Sequence, residues 1–356
     1  MTAAAARGWT RRRAAVIAAL GTAFAVAVVF AMASLLGQGG TATAPALVLA
    51  LPPVAAPPAE PARAGSDGGL VVAATAAAYA ASPELPAAAP LAPAPDPALL
   101  EPGGVAGTGL PKIAADGRQP WQAYARPFDR RDGRARLVLI VLDVGLSRAA
   151  SEAAIYRLPA AVTVAIDAYA AEPQQWAAAA RRAGHEVLAD LPLQAAAASS
   201  EDAGPRALAT DANDDGNLQR AQAVLDDFAG YTGVLMRGGG AFTDGFTSLE
   251  PLLRDMRRRG LLLVDGAAAE GAPLFRLGER AGLPRARLDA LIPVDAAGID
   301  RQLDALTATA RERFVAVAAL RPAPLAIERL RAFLARLDAG RYVLAPVSAV
   351  AAGEAG

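Results

Sequence analysis

The residues with the clearest chemical potential are acids that end apolar runs. Asp143 follows the six apolar residues Leu137–Leu142 and is succeeded by Gly145 and Ser147. An unbroken apolar run bounded by turn residues reads as a strand buried on both faces, and in parallel sheets ligands gather at the carboxyl ends of such strands. A carboxylate there could serve as a base or hold a cation, or it could simply cap the turn, with Ser147 as the N-cap of the helix that follows. Asp265 in LLLVDG sits at a similar strand end. The chain has no cysteine and a single histidine, His185. Thiolate nucleophiles, disulfides and any metal site built on two histidines are thereby excluded within one polypeptide. DANDDGN (211–217) has the look of a calcium loop, but its twelfth position is Gln222 where a bidentate Glu is required, so it reads as an acidic surface loop.

These acids need a scaffold, and the second half of the chain supplies its pattern. Candidate strands at 137–142, 162–166, 186–191, 233–236, 261–264, 290–294, 314–320 and 342–347 alternate with helical patterns at 149–158, 173–183, 217–228, 248–259, 299–311 and 324–337. Repeated β-then-α units predict a parallel sheet with right-handed crossovers. No glycine-rich dinucleotide fingerprint follows the first strand, so an α/β barrel, closed or nearly so, is expected over a doubly wound sheet. Arg237-Gly238-Gly239-Gly240 lacks the spacing of a phosphate loop and reads as a flexible loop.

Upstream, residues 1–13 are basic and 14–36 carry no charge for 23 residues. At about 1.5 Å per residue such a helix spans a hydrocarbon core of about 30 Å. The preceding arginines predict a cytoplasmic amino terminus and a single-pass inner-membrane anchor, with the folded domain in the periplasm. A cleaved signal peptide is the rival, with Ala31-Met32-Ala33 as its processing site. Residues 37–133 are rich in Ala and Pro and are expected to form a disordered linker, leaving 134–350 as the folded domain. Thirty-five basic and 35 acidic residues balance, which gives no global attraction to nucleic acid.

Taken together and in order, VLDVGLS (141–147), LPAAVTVAIDAYA (158–170), RAGHEVLADLPLQ (182–194), GVLMRGGGAFTD (233–244), RRGLLLVDG (258–266), RPAP (321–324) and VLAPVS (343–348) resemble the divergent polysaccharide deacetylases. The resemblance implies an irregular (β/α) barrel and hydrolysis of acetyl groups on glycans. In that family an Asp pair and two histidines build a metal site that generates the hydroxide nucleophile. Here Leu142 stands where the first Asp would be, Asp190 and Gln194 where histidines would be, and Arg237 and Arg321 in two further histidine positions. The surviving metal candidates are therefore Asp143, Asp190 and Gln194, which suit only a hard divalent cation on oxygen ligands, and the alternative is no cofactor. Catalytic candidates are Asp143, His185 and Asp265; substrate-binding candidates are Arg237, Arg321 and Tyr169. Converging carboxylates repel unless a cation lies between them, so Arg237, with Arg321, is expected to pair with Asp143 and Asp190. Two functions stay open: a deacetylase-like envelope hydrolase with a rebuilt site, or a non-catalytic scaffold binding glycan or an envelope protein.

Overall fold

In a computed structural model of the chain, the structure describes residues 77–79, 82–101, 107–194, 204–238, 249–267 and 273–352. The expected membrane anchor at 14–36 lies outside the described residues, and among those described no helix is long and apolar enough to cross a membrane.

The chain enters through a short helix, α1 (Pro120–Ala123), and then alternates strand and helix. The strands are β1 (Ala135–Val144), β2 (Thr163–Ile166), β3 (Val187–Leu193), β4 (Gly233–Gly238), β5 (Leu262–Asp265), β6 (Arg285–Arg287), β7 (Ala290–Leu291), β8 (Val315–Leu320) and β9 (Tyr342–Leu344). Between them run α2 (Arg148–Arg157), α3 (Pro173–Arg182), α4 (Asp214–Leu225), α5 (Glu250–Arg258), α6 (Pro273–Arg280), α7 (Ala296–Arg313) and α8 (Pro324–Arg336). The sheet order is β6-β5-β4-β3-β2-β1-β8-β7, and β9 pairs with the start of β1. Every strand pairing in this sheet is parallel. The result is a curled parallel α/β half-barrel, the coarser form of the expected barrel.

Why the apolar runs become strands is visible in their alternation. Leu137, Leu139 and Val141 belong to a core shared with the helices, whereas Val138, Ile140 and Leu142 fill the interior of the curl with Leu188, Leu235 and Val317. Both faces are dry, so the strand reads as continuous apolar sequence. Asp289 patches the gap between β6 and β8: its carboxylate accepts the Val317 N–H at 2.9 Å and its own N–H donates to Val317 O at 2.7 Å.

Two elements escaped the periodicity. Strand β6 is three residues long and carries two arginines, and α6 has only eight residues. The acidic 211–217 stretch starts α4, where Asn213 caps the helix by accepting the Gly216 N–H at 2.8 Å.

The Ala/Pro stretch differs most from expectation. Its described part from Pro83 onward lies against the barrel as a strap. Leu85 N–H donates to Tyr156 O, Leu91 N–H to Arg181 O and Trp121 N–H to Gly260 O. Leu99, Trp121 and Tyr124 are at most 3% exposed. Sparse large side chains do the anchoring, and a compositional reading averages them away.

Candidate active site at the barrel mouth

Four strand ends build the site. Strict alternation would turn Asp143 toward the helices, alongside Val141. Instead Asp143 adopts φ +57°, the β1–β2 register shifts between Val141 and Val144, and Val144 returns to the helix-facing core. Aspartate tolerates this left-handed conformation better than most residues. The irregularity brings the Asp143 carboxylate within reach of β4. Gly145 follows at φ +101°, where a Cβ would come within 2.2 Å of the Ala170 side chain. Ser147 then caps α2.

Asp167, Asp190 and Arg237 need no such device. Each falls on the inward phase of its strand, following Ala165, Leu188 and Leu235 of the interior cluster by two positions. Arg321 follows Ala319 in the same way at the end of β8. Gly266 packs beside Arg237, since a Cβ there would meet the Arg237 Cγ at 3.0 Å.

The geometry centres on one atom. Arg237 Nη2 lies 2.5 Å from Asp190 Oδ2, 3.1 Å from Asp143 Oδ1 and 3.4 Å from Asp167 Oδ2. Arg237 Nε also donates to Asp190 Oδ2 at 2.7 Å. Arg321 Nε lies 3.2 Å from the other Asp143 oxygen. Asp190 is 1% exposed, and its Oδ1 has no hydrogen-bond partner. Burial pushes the Asp190 carboxyl up to about 6, against the pull of Arg237. Burial also raises Asp167, offset by the Tyr169 N–H and Arg237. Burial disfavours the charged guanidinium of Arg237, but the carboxylates of Asp190, Asp143 and Asp167 outweigh it and hold the proton more firmly than usual.

The remaining candidates lie elsewhere. Asp265 is on the helix-facing phase, after interior-facing Val264, and accepts N–H groups from Ala267 at 3.0 Å and Phe275 at 2.9 Å. It holds the start of α6 rather than lining the mouth. His185 is fully buried, with Nδ1 at 2.7 Å from Val162 O and Nε2 at 2.8 Å from Ile155 O. It ties the end of α2 to the start of β2, away from the carboxylates. Gln194 Oε1 accepts from the Thr210 N–H at 2.8 Å and Oγ1 at 3.2 Å. Tyr169 is partly exposed, and its hydroxyl accepts the Arg206 N–H at 2.8 Å. Asp167 is not among the sequence candidates, although AVTVAID ends in an acid after a largely apolar run much as β1 does.

A histidine-held ion does not fit these donors. The only imidazole is committed to two backbone carbonyls, Gln194 is turned to Thr210, and a guanidinium nitrogen lies among the three carboxylates.

In folds of parallel β-then-α units the functional site gathers at the carboxyl ends of the strands, where this charged cluster lies. The family model described as divergent polysaccharide deacetylase matches residues 139–351, and the chain belongs to that family. The crystal structure of an uncharacterized protein from Agrobacterium tumefaciens C58 is similar to it, at 30% identity and a TM-score of 0.64. That match covers 68% of this chain and 99% of the other. A search of curated proteins finds no match.

Proposed function

We propose that this protein engages an envelope glycan through the mouth of a deacetylase-family barrel whose metal centre has given way to an arginine–carboxylate cluster. The observation that carries the reading is the single Arg237 nitrogen within 3.4 Å of oxygens from Asp143, Asp167 and Asp190. The family membership points to glycan. Arg321, about half exposed, with the rims of Asp143 and Asp167, offers donors and acceptors suited to sugar hydroxyls, and Tyr169, whose backbone N–H donates to Asp167 Oδ1, keeps an exposed aromatic side chain two residues further on. The charge-free stretch 14–36 behind a basic start supports a membrane anchor with the barrel on the periplasmic side.

One observation favours a second reading, a hydrolase with a carboxylate base. A carboxyl raised to about 6, as Asp190 is, is poised for proton transfer near neutrality. The two are separated by incubating the protein with N- and O-acetylated envelope glycans and following both retention and acetate release. Retention without acetate, lost in Arg321→Ala, supports the binding reading. Acetate release abolished by Asp190→Asn establishes the hydrolase, and neither retention nor release removes the carbohydrate reading.

A further inference from the structure

We propose that Arg237 is the built-in occupant of a cation seat, and that the seat takes a hard divalent ion once the guanidinium is removed. The proposal rests on the reading that an arginine–carboxylate cluster stands in place of a metal centre, and not on what the mouth binds.

Three observations converge on it. First, one carboxylate oxygen each from Asp143, Asp167 and Asp190 lie within 4.8 Å of one another, close enough to ligate a common ion at the usual metal–oxygen distances of about 2.0–2.6 Å. Second, Asp190 Oδ1 is buried and unpartnered although the same carboxylate gives Oδ2 to Arg237. Arginine satisfies one oxygen of this buried group and leaves the other without a donor, whereas a coordinating cation can be shared by both. Third, the charges do not balance. Three carboxylates face two guanidiniums, Arg237 and Arg321, and a divalent ion in place of Arg237 would cancel the remaining negative charge. An all-oxygen donor set selects Mg²⁺, Mn²⁺ or Ca²⁺ over the softer metals that prefer imidazole or thiolate.

Arg237 reaches this position because β4 places it on the inward phase, with Gly266 leaving room for its stem. Its Nη2 approaches all three acids, so an ion and the guanidinium exclude each other.

The test titrates Mn²⁺ into the full-length protein and into Arg237→Gln and Arg237→Gln/Asp190→Asn, reading bound ion by magnetic resonance and melting temperature in parallel. Arg237→Gln is expected to bind one Mn²⁺ roughly 100-fold more tightly than the unaltered protein. Its melting temperature should rise with added ion, and the double variant should lose both effects. Unaltered protein that binds as tightly as Arg237→Gln overturns the proposal, as does a folded Arg237→Gln that binds no better than the double variant. If Arg237→Gln folds only when Mn²⁺ is present, the ion has taken the guanidinium's place and the proposal stands. If it stays unfolded with Mn²⁺, the proposal fails.

Discussion

At the scale of single residues, Arg237 decides the character of the site. Its side chain is about one-quarter exposed and faces three carboxylates, of which Asp190 is almost wholly buried. Removing one partner from a buried ion pair leaves an uncompensated charge, which costs far more than the pair contributes. Arg237→Ala should therefore lower stability at pH 7 by about 3–5 kcal/mol in urea unfolding, and a loss below about 1 kcal/mol would show the cluster to be solvent-screened. Asp190 itself predicts a pH dependence. Its carboxyl is raised to about 6 in the folded protein by burial, above its ordinary value of 3.8. Between those values the folded state holds more protons than the unfolded one, so this group's contribution is greatest below about 3.8 and is lost as pH rises through about 6. Urea midpoints of the unaltered protein and Asp190→Asn between pH 4 and 7 should diverge in that sense; parallel curves would contradict it. Asp143 is legible in sequence as the acid that ends an apolar run, whereas Asp190, Arg237 and Arg321 are legible only through the family resemblance, as the residues standing at its histidine positions. Asp167 ends a strand by the same rule as Asp143, but Thr163 interrupts the apolar run before it and β2 is only four residues long, so the signal is weaker. Asp265 shows the limit of the rule. A strand-end position does not fix the face, and one step of alternation turns Asp265 to the helices.

At the scale of elements, buried polar side chains outside the mouth work as joints between strands and helices. His185 spans the carbonyls of Ile155 and Val162, at the end of α2 and the start of β2. A neutral ring carries one N–H, so it can donate to only one of the two at a time. Burial lowers its pKa, with the two carbonyls opposing, so the neutral form prevails and acidification below its ordinary value works against the fold. His185→Ala should cost about 1–3 kcal/mol for the one carbonyl that loses its donor, with any glycan retention by the folded fraction unchanged. Loss of retention at equal folding would return His185 to the site. Asp265→Ala releases the Ala267 and Phe275 N–H groups and should cost about 0.5–2 kcal/mol, as for a lost helix cap, again without altering the mouth. Sequence could not separate these joints from catalytic groups, because both are isolated titratable residues in apolar surroundings. The long elements were legible from period and apolar content. The short β6 and α6 were not, since three and eight residues carry too little pattern.

At the scale of the whole molecule, the strap turns a barrel with an appended spacer into a barrel closed at its base. Trp121 joins the interior cluster with Ala345 and Val347, filling the curl from below. Arg181, 3% exposed, donates to carbonyls of Ala92 and Tyr124 on the strap as well as Gly230 on the barrel. Fully buried Glu186 accepts from the Arg126 N–H and from Ser348, joining the strap to the final turn of the chain. A fragment beginning at residue 131 would expose this base. Loss of Leu99, Trp121 and Tyr124 alone removes burial worth about 1.5–3 kcal/mol each, before counting the acceptors taken from Arg181. Their sum is comparable with the whole stability of an ordinary domain, roughly 5–15 kcal/mol. At about 2–4 °C per kcal/mol for a domain of this size, a 131–356 fragment should melt at least about 10 °C below a 77–356 fragment, or show no cooperative transition in calorimetry. Two fragments melting within about 3 °C of each other would make the strap dispensable. If the large difference is found, the stretch that composition marks as a spacer is part of the folding unit, and the tether to the expected membrane anchor begins upstream of Pro83 rather than at the first strand.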